Sequence, residues 1–569
     1  MVFFITFLVY SPLLFNQYVG DDHYIIEKNT FYSSWKNVPR LFEKGYITDA
    51  GAINLNSEAR FDFGTGSVSY RPASNFTYFF DYFLFQGRPY GSHLIDILIH
   101  GVNAVLVYWI VAQIFSSPVL GVFAALLFSL HPMQSEAVAV MSYRADICAA
   151  MFALFSFVFW MKFKQGGYAH QGYYGACLAM CLLAMFSKES AFVLPLVILL
   201  FDQILPVPMQ GGPRWVYYAG FAPILAFYLY LYFVVFPNAT LSFHWLGGSF
   251  VNHCLLMVYI WHYYLINAIF PWTVKLIPGL YCPPVPGVFS LVTFEMGAAL
   301  IILVAGIGAL WSHYKECVFF LLWYIIFYLP VSNLLPIVNP MAGRFMYLPS
   351  IGLLVVLAFF LHRIFSSNFI SKHSRYLPGI LYAGVMMVCI TRTLFLNGDW
   401  KSDFDVGYAW VSDYASDSRG YALLGLEYYK AGHFEKARGY LEKSVLLGDR
   451  IPLTVMTLSG CYMQLGKWKE AESLLKQIIL HYPDYADAFL FLGEAYYLEK
   501  DNQQARPMLE KTLMLDPRKA MAYKFLMRVY LNLHQFEAAK ILLKKAAFYL
   551  NTQDVSQLHH ILEQSKQVM

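Results

Sequence analysis

Eleven predominantly apolar stretches recur before Trp400, near 2–19, 93–115, 118–131, 145–162, 172–187, 190–205, 215–236, 291–311, 317–337, 345–362 and 377–397. About 20 apolar residues in a helix cross the ~30 Å hydrocarbon layer of a bilayer. Inside that layer only helices and closed barrels satisfy every backbone group. A chain of this pattern is expected to be an integral, multi-pass membrane protein with an all-α fold. The first stretch has no basic leading segment and no small-residue cleavage site, so it reads as a retained span. A further stretch, 251–271, carries His253, Trp261, His262 and Asn267 and is ambiguous between a span and an interfacial helix. Basic residues arbitrate, because they accumulate in cytoplasmic loops. With a cytoplasmic N-terminus and 251–271 left out, seven lie inside (Lys162, Lys164, Arg214, Lys315, Arg363, Lys372, Arg375) and four outside (Lys188, Lys275, Arg344, Arg392). The expectation is about 11 spans, with the first loop, 20–92, and everything after the last span on the non-cytoplasmic side. That loop reads as long and irregular, with a short amphipathic piece at Trp35–Phe42 and many aromatics, among them Phe61 and Phe63.

Charge divides the chain in two. From Trp400 onward stand 21 Lys/Arg and 20 Asp/Glu, 41 of the 76 charged residues in under a third of the length. That stretch is periodic. Gly425, Ser459, Gly493 and Met527 are spaced by 34, as are Tyr428, Tyr462, Tyr496 and Tyr530, and Ala437, Ala471, Ala505 and Ala539. Small residues at two helix crossings with this period are the tetratricopeptide (TPR) signature. The expected domains are a membrane unit, 1–399, and a TPR α-solenoid, 400–569. Repeats fall near 418–451, 452–485, 486–519 and 520–553, followed by a polar capping helix. Such arrays bind extended peptides on a concave face, here expected to include Tyr429, Lys430, Tyr497 and Arg528. A net charge of +4 with no basic run gives no support for a nucleic-acid partner.

Four polar constellations stand out in the membrane part. Asp21–Asp22 follow the first span directly and could bind a cation or supply a general base, or simply form a solvated helix end. His131-Pro-Met-Gln-Ser-Glu136 precedes Arg144-Ala-Asp146 between two short stretches, as a functional surface or an ion-paired loop. His93, Asp96, His100 and Asn103 share one helix face, and interhelical hydrogen bonding is the favoured account. Lys188–Glu189 and Arg344 lie at the expected non-cytoplasmic surface, and Arg344 is well placed for a lipid phosphate. No nucleotide loop or nucleophile elbow occurs. The eight cysteines are scattered through mostly apolar segments and form no disulfide framework.

The stretches YVGDDHYIIEKN, SYRPASNFTYFFDY followed by HLIDILIHGVNAVLV, LLFSLHPMQSEAVAVMSYRADICAAMF, FSKESAFVLPLVILLFD and NLLPIVNPMAGRFMYLPSIGLL occur in this order. With the repeats, they resemble the transmembrane-and-TPR O-mannosyltransferases and their bacterial relatives, within the GT-C class of polytopic glycosyltransferases. The sequence departs from the family pattern at Gln134–Ser135, where a second His is usual, and at Lys188-Glu-Ser190. The resemblance implies transfer of a sugar, mannose or another hexose, from a polyprenyl-phosphate donor to protein Ser/Thr hydroxyls. It implies Asp21 or Asp22 as catalytic base, and Arg344, Glu136, Arg144, His131 and Lys188 around donor phosphate and substrate. A divalent cation stays open. So do two other readings: glycosylation of a lipid or surface polysaccharide, and a non-catalytic TPR membrane scaffold. The expected membrane is a bacterial inner membrane or the endoplasmic reticulum.

Overall fold

The computed structural model describes residues 1–43, 70–205, 215–235, 245–276, 283–334, 336–337, 339–367 and 376–567. Phe61, Phe63, Arg214, Lys372 and Arg375 lie outside these. The described residues are helical, with no β-strand among them, and fall into two compact units that divide between Asp413 and Tyr414.

The first unit is built from apolar helices. Five among the described residues are long and apolar enough to cross a membrane: Pro89–Ile114, Met141–Gln165, Trp215–Val235, Leu291–Leu310 and Leu377–Asp399. Val2–Phe15, Gln171–Ser187 and Ser350–Phe365 are shorter apolar helices. Every one of the eleven expected stretches coincides with a helix, but by length and composition only these five qualify, or six if a bent pair counts as one span. That pair is Pro118–Leu130 with Pro132–Ala139, bent by 51°. The bend has a local cause: Pro132 has no N–H to continue the first helix. His131 is extended there and its ring caps the next turn, accepting from the Met133 N–H at 3.3 Å. Segment 251–271 forms the helix Phe250–Ile269.

Helix packing is close where glycine permits it. A Cβ on Gly352 would stand 2.2 Å from the carbonyl oxygen of Phe320, so Ser350–Phe365 lies directly on the backbone of Lys315–Tyr328. The polar face of Pro89–Ile114 is wholly interior. His93, Asp96, His100 and Asn103 are fully buried. His100 Nδ1 lies 2.6 Å from the Tyr347 hydroxyl, and Asn103 donates to that hydroxyl and to the Ile147 carbonyl at 3.0 Å each. His100 and Asn103 thus bond to neighbouring segments, and Asp96 pairs with Arg144.

The first loop is more regular than expected. Pro72–Phe85 is a 14-residue α-helix. Pro72 presets its first turn, and Phe76, Phe79, Phe80 and Phe83 follow helical spacing on one face. The expected amphipathic piece is a 3₁₀ segment, Trp35–Phe42, and its Trp35 stacks on Phe79 at 5.5 Å between centroids.

The second unit repeats a helix pair four times: Ser418–Lys430 with Phe434–Leu446, Pro452–Gln464 with Trp468–His481, Ala486–Leu498 with Asn502–Leu515, and Ala520–Asn532 with Phe536–Tyr549. Thr552–Gln567 follows. The 34-residue period has a direct steric reason. A Cβ on Gly493 would sit 2.7 Å from Leu509, in the crossing where Ala505 lies buried. The periodic tyrosines reach back to the preceding helix: Tyr462 donates to Glu442 at 2.9 Å, Tyr496 to Glu472 at 2.8 Å and Tyr530 to Glu510 at 2.9 Å.

Candidate active site

The two adjacent aspartates are not solvated: Asp21 is 7% exposed and Asp22 0%. Gly20 makes the turn that carries them inward; its φ of +53° is a left-handed conformation that costs a glycine little. Its N–H donates to Asp403 at 2.9 Å. Asp22 is fixed by backbone. Its Oδ1 accepts from the Ser142 N–H at 2.7 Å, and its Oδ2 from Val19 and Met141 at 3.4 Å each. Burial nevertheless pushes its carboxyl up to about 6. The same turn is backed by Tyr78, whose hydroxyl donates to the Met141 carbonyl at 3.0 Å. The neighbouring His23 ring lies 3.1 Å from Asp403 and 2.6 Å from Glu27. Asp403, then Glu27, raise His23 to about 9 despite partial burial.

The charges of the 131–146 segment do not pair with one another; each reaches a different part of the chain. Glu136 makes an ion pair with Arg344 and accepts the Gly343 N–H at 2.6 Å. Asp146 pairs with Lys188. Arg144 is completely buried between Asp81, at 2.8 Å, and Asp96. It also donates to Thr77 at 3.2 Å and the Ser92 carbonyl at 3.1 Å. With these partners Arg144 cross-links three helices, and its guanidinium is consumed in doing so.

Arg344 is not the lone cation its sequence context suggests. Besides Glu136, its guanidinium lies 3.8 Å over the ring centroid of Tyr143, and cation–π attraction strengthens when the pair is desolvated. Phe345 carries Arg344 at 5.3 Å and Lys188 at 5.1 Å from its centroid. Beyond Lys188, Glu189 receives a bidentate pair from Arg71, at 2.7 and 3.0 Å. Although burial opposes its charge, Arg71 holds Glu189 down to about 2. Burial lowers Lys188.

Tyr143 is the common neighbour. Arg344, Asp21, Glu136 and Asp22 all act on it electrostatically. The first turn meets the 141–143 turn through Asp22 and the Ser142 N–H, and the 343–344 segment meets it through Arg344, which lies over Tyr143 and pairs with Glu136 of the bent hinge. Beside it a cleft is lined by Pro132, Glu136, Gly343, Tyr264, Lys275 and Trp400. His131 is buried under the hinge, 1% exposed. Chemically, this is a place where buried carboxylates and a guanidinium lie close together. Its parts can accept a proton and offset a developing negative charge. No group of three or more potential metal ligands occurs among the described residues.

Sequence reasoning missed Arg71, Asp81, Tyr143 and Asp403. Asp81 lies in the helix read as loop and Arg71 immediately before it, and no local signal marks Tyr143 or Asp403. In the repeat unit, Tyr429 is half-buried against Phe434 at 5.5 Å, and Tyr497 against Phe525 at the same distance. Lys430 pairs with Glu427 at 2.5 Å, and Arg528 is exposed.

Comparison with known proteins gives a consistent picture. Residues 462–506 match the tetratricopeptide repeat family model. The human Protein O-mannosyl-transferase TMTC4 is 24% identical over 421 residues, covering 61% of this chain and 53% of its own length. The Caenorhabditis elegans Protein O-mannosyl-transferase F38B6.6 is 24% identical over 446 residues, 74% of this chain and 58% of its own. The mouse Protein O-mannosyl-transferase TMTC1 is 30% identical over 155 residues, 26% and 16% of the two lengths. The chain spans about half the length of the first two. Among solved structures, the Cut9–Hcn1 hetero-tetramer aligns at 15% identity over 87% of this chain and 92% of its own, with a TM-score of 0.27. That is too loose a likeness to argue from.

Proposed function

We propose that this chain, a relative of the transmembrane-and-TPR protein O-mannosyltransferases, moves mannose or another hexose from a polyprenyl-phosphate donor to Ser/Thr hydroxyls of proteins. The observation that carries the reading is that Asp22, next to Asp21, and Arg344, with its partner Glu136, both meet the 141–143 turn, Asp22 at the Ser142 N–H and Arg344 over the Tyr143 ring. Asp21 takes the proton of the acceptor hydroxyl. The hydroxyl oxygen attacks the anomeric carbon, and the bond from that carbon to the phosphate oxygen breaks, its electron pair leaving with the phosphate. Asp22, with both oxygens engaged by backbone N–H groups, holds the turn that presents Asp21. Arg344 has five donors, of which one serves Glu136; in this proposal others serve the leaving phosphate. Lys188 supports the same charge. Glu136 and Tyr143 hold the guanidinium in place. Arg144, whose guanidinium is taken by Asp81 and Asp96, and His131, buried under the hinge, act as positioning residues.

The non-cytoplasmic side is proposed for this site and for the repeats, on the distribution of basic residues between the eleven apolar stretches of the sequence. The repeats engage the acceptor protein, with Tyr429, Lys430, Tyr497 and Arg528 on the peptide-binding face. Mass spectrometry of extracytoplasmic proteins with and without the gene tests the whole reading. A hexose on Ser or Thr that disappears with the gene supports it. Unchanged protein glycosylation with an altered lipid-linked or polysaccharide product would refute the protein acceptor.

A further inference from the structure

Four large apolar side chains of the repeat unit stand in water. Leu446, Leu480, Met514 and Phe548 are 78%, 79%, 72% and 85% exposed, and each lies 34 residues from the next. Leu446 ends its helix, and the other three are the last residue but one of theirs. Equivalent positions of successive repeats stack along a solenoid, so the four form one continuous ridge. Scattered apolar exposures are ordinary, but a contiguous apolar strip marks an interaction surface. In the last repeat Ile541, two helical turns before Phe548 and 66% exposed, widens it.

The ridge is edged with positive charge. Lys443, Lys511 and Lys545 precede Leu446, Met514 and Phe548 by three residues, which puts them on the same helix faces. None of the three has an ion-pair partner among the described residues; the acids beside them are taken by arginines, Glu442 by Arg438 and Glu510 by Arg506.

We propose that this ridge docks on the surface of the bilayer in which the chain is anchored. In the docked state its apolar side chains enter the boundary between headgroups and acyl chains, and its lysines meet anionic headgroups. Three observations select lipid as the occupant. Leu, Leu, Met and Phe flanked by Lys is the composition of an interfacial face, and clustered lysines at a membrane surface attract anionic lipid. The apolar anchors carry no hydrogen-bonding group with which to read a peptide sequence. The last long apolar helix ends at Asp399 and the first repeat begins at Ser418. So short a connection keeps the repeats at high effective concentration beside lipid, whichever side they occupy. The proposal concerns the second helices of the repeats. It is independent of the sugar-transfer reading.

The test uses the full chain, one copy per lipid nanodisc, with an environment-sensitive thiol probe on Met514→Cys or Phe548→Cys. Glu537→Cys is the control, on an exposed carboxylate in the first turn of the helix that carries Phe548. Emission of the unsubstituted chain after labelling is subtracted. Discs of phosphatidylcholine, with or without phosphatidylglycerol, are made with ordinary or acyl-brominated phosphatidylcholine, which quenches only probes that contact the acyl region. Most of the emission at 514 and 548 should be lost to brominated lipid, and little at 537. The loss should deepen with phosphatidylglycerol and shrink in Lys511→Gln/Lys545→Gln. The substituted side chains are exposed, so folding is checked directly by circular dichroism. Absence of quenching at both ridge positions in both lipid mixtures overturns the proposal. So does a blue shift insensitive to brominated lipid, which would mean that protein covers the ridge.

Discussion

Asp21→Asn and Asp22→Asn are the same chemical change one residue apart, and the structure makes them behave oppositely. For Asp22 the magnitude follows from its partners. An amide keeps one oxygen for the Ser142 N–H, the short bond of 2.7 Å, but turns an NH₂ toward Val19 and Met141, whose N–H groups lie 3.4 Å from the carboxylate. Losing two bonds of that length costs roughly 1–2 kcal/mol. Against this stands the buried charge. Burial raises the carboxyl from 3.8 to about 6, so the folded state holds the proton more tightly than the unfolded chain. Stability therefore falls as pH rises from about 4 through about 6, by about 3 kcal/mol in all, each tenfold gain in proton affinity being worth about 1.4 kcal/mol. The substitution removes that penalty, so above pH 6 Asp22→Asn should fold about as well as the unsubstituted protein or slightly better. Its stability should lack the slope between pH 4 and 6. Sugar transfer should stay within about tenfold, because no base is lost. Asp21→Asn should lower transfer by about 10²–10⁴, the usual range for a general base, with folding unchanged. The assay is thermal unfolding of the purified chain across pH 4–8, paired with transfer from polyprenyl-phosphate sugar to an acceptor protein. A near-normal Asp21→Asn beside an inactive, well-folded Asp22→Asn would refute this division of roles. An unchanged pH slope in Asp22→Asn would refute the electrostatic argument by itself.

Three further outcomes follow from the same geometry. Arg344→Lys keeps a charge but loses the planar fork and its stacking on Tyr143, so the apparent KM for donor should rise about tenfold, the worth of one charge-assisted hydrogen bond; initial rates against donor concentration check this, and an unchanged KM in Arg344→Ala would exclude the contact. Tyr429→Ala with Tyr497→Ala should weaken protein glycosylation while hydrolysis of donor by water persists, with circular dichroism to verify the repeats, since both rings are half-buried; equal loss of both activities would argue against separate sites. His23, raised to about 9 by Asp403 and Glu27, contributes stability that is complete below about 6.5 and lost as pH rises through 9; His23→Gln should flatten unfolding against pH across that window.

What the sequence discloses depends on how far apart the interacting residues stand. The repeats are legible to the residue because their contacts are local: Gly493 meets Leu509 within one helix pair, so the constraint recurs every 34 positions. The candidate site is legible only as loose charges at membrane exits. Asp21, Glu136, Lys188 and Arg344 are visible because charge beside apolar runs is conspicuous. Their pairings are not, since Glu136 and Arg344 are 208 residues apart and Gly20 and Asp403 are 383 apart. Arg144 illustrates the cost. Its position suggests a phosphate ligand, but its partners Asp81 and Asp96 sit on helices 63 and 48 residues upstream. Asp81 escapes notice because aromatic residues at helical spacing in a stretch rich in Gly, Ser and Asn read as loop.

The direction of those two spacings matters while the chain is being made. Both acidic partners of Arg144 are synthesised before it. Translation at about 5–20 residues per second leaves Asp96 waiting roughly 2–10 s for its cation. An unpaired aspartate at the centre of a span costs about 3 kcal/mol in lipid, and less near its end. Asp96 lies two turns inside Pro89–Ile114. During that interval the helix is poorly suited to leave the insertion machinery alone. Arg144, at the start of its own helix, is the cation that ends this interval.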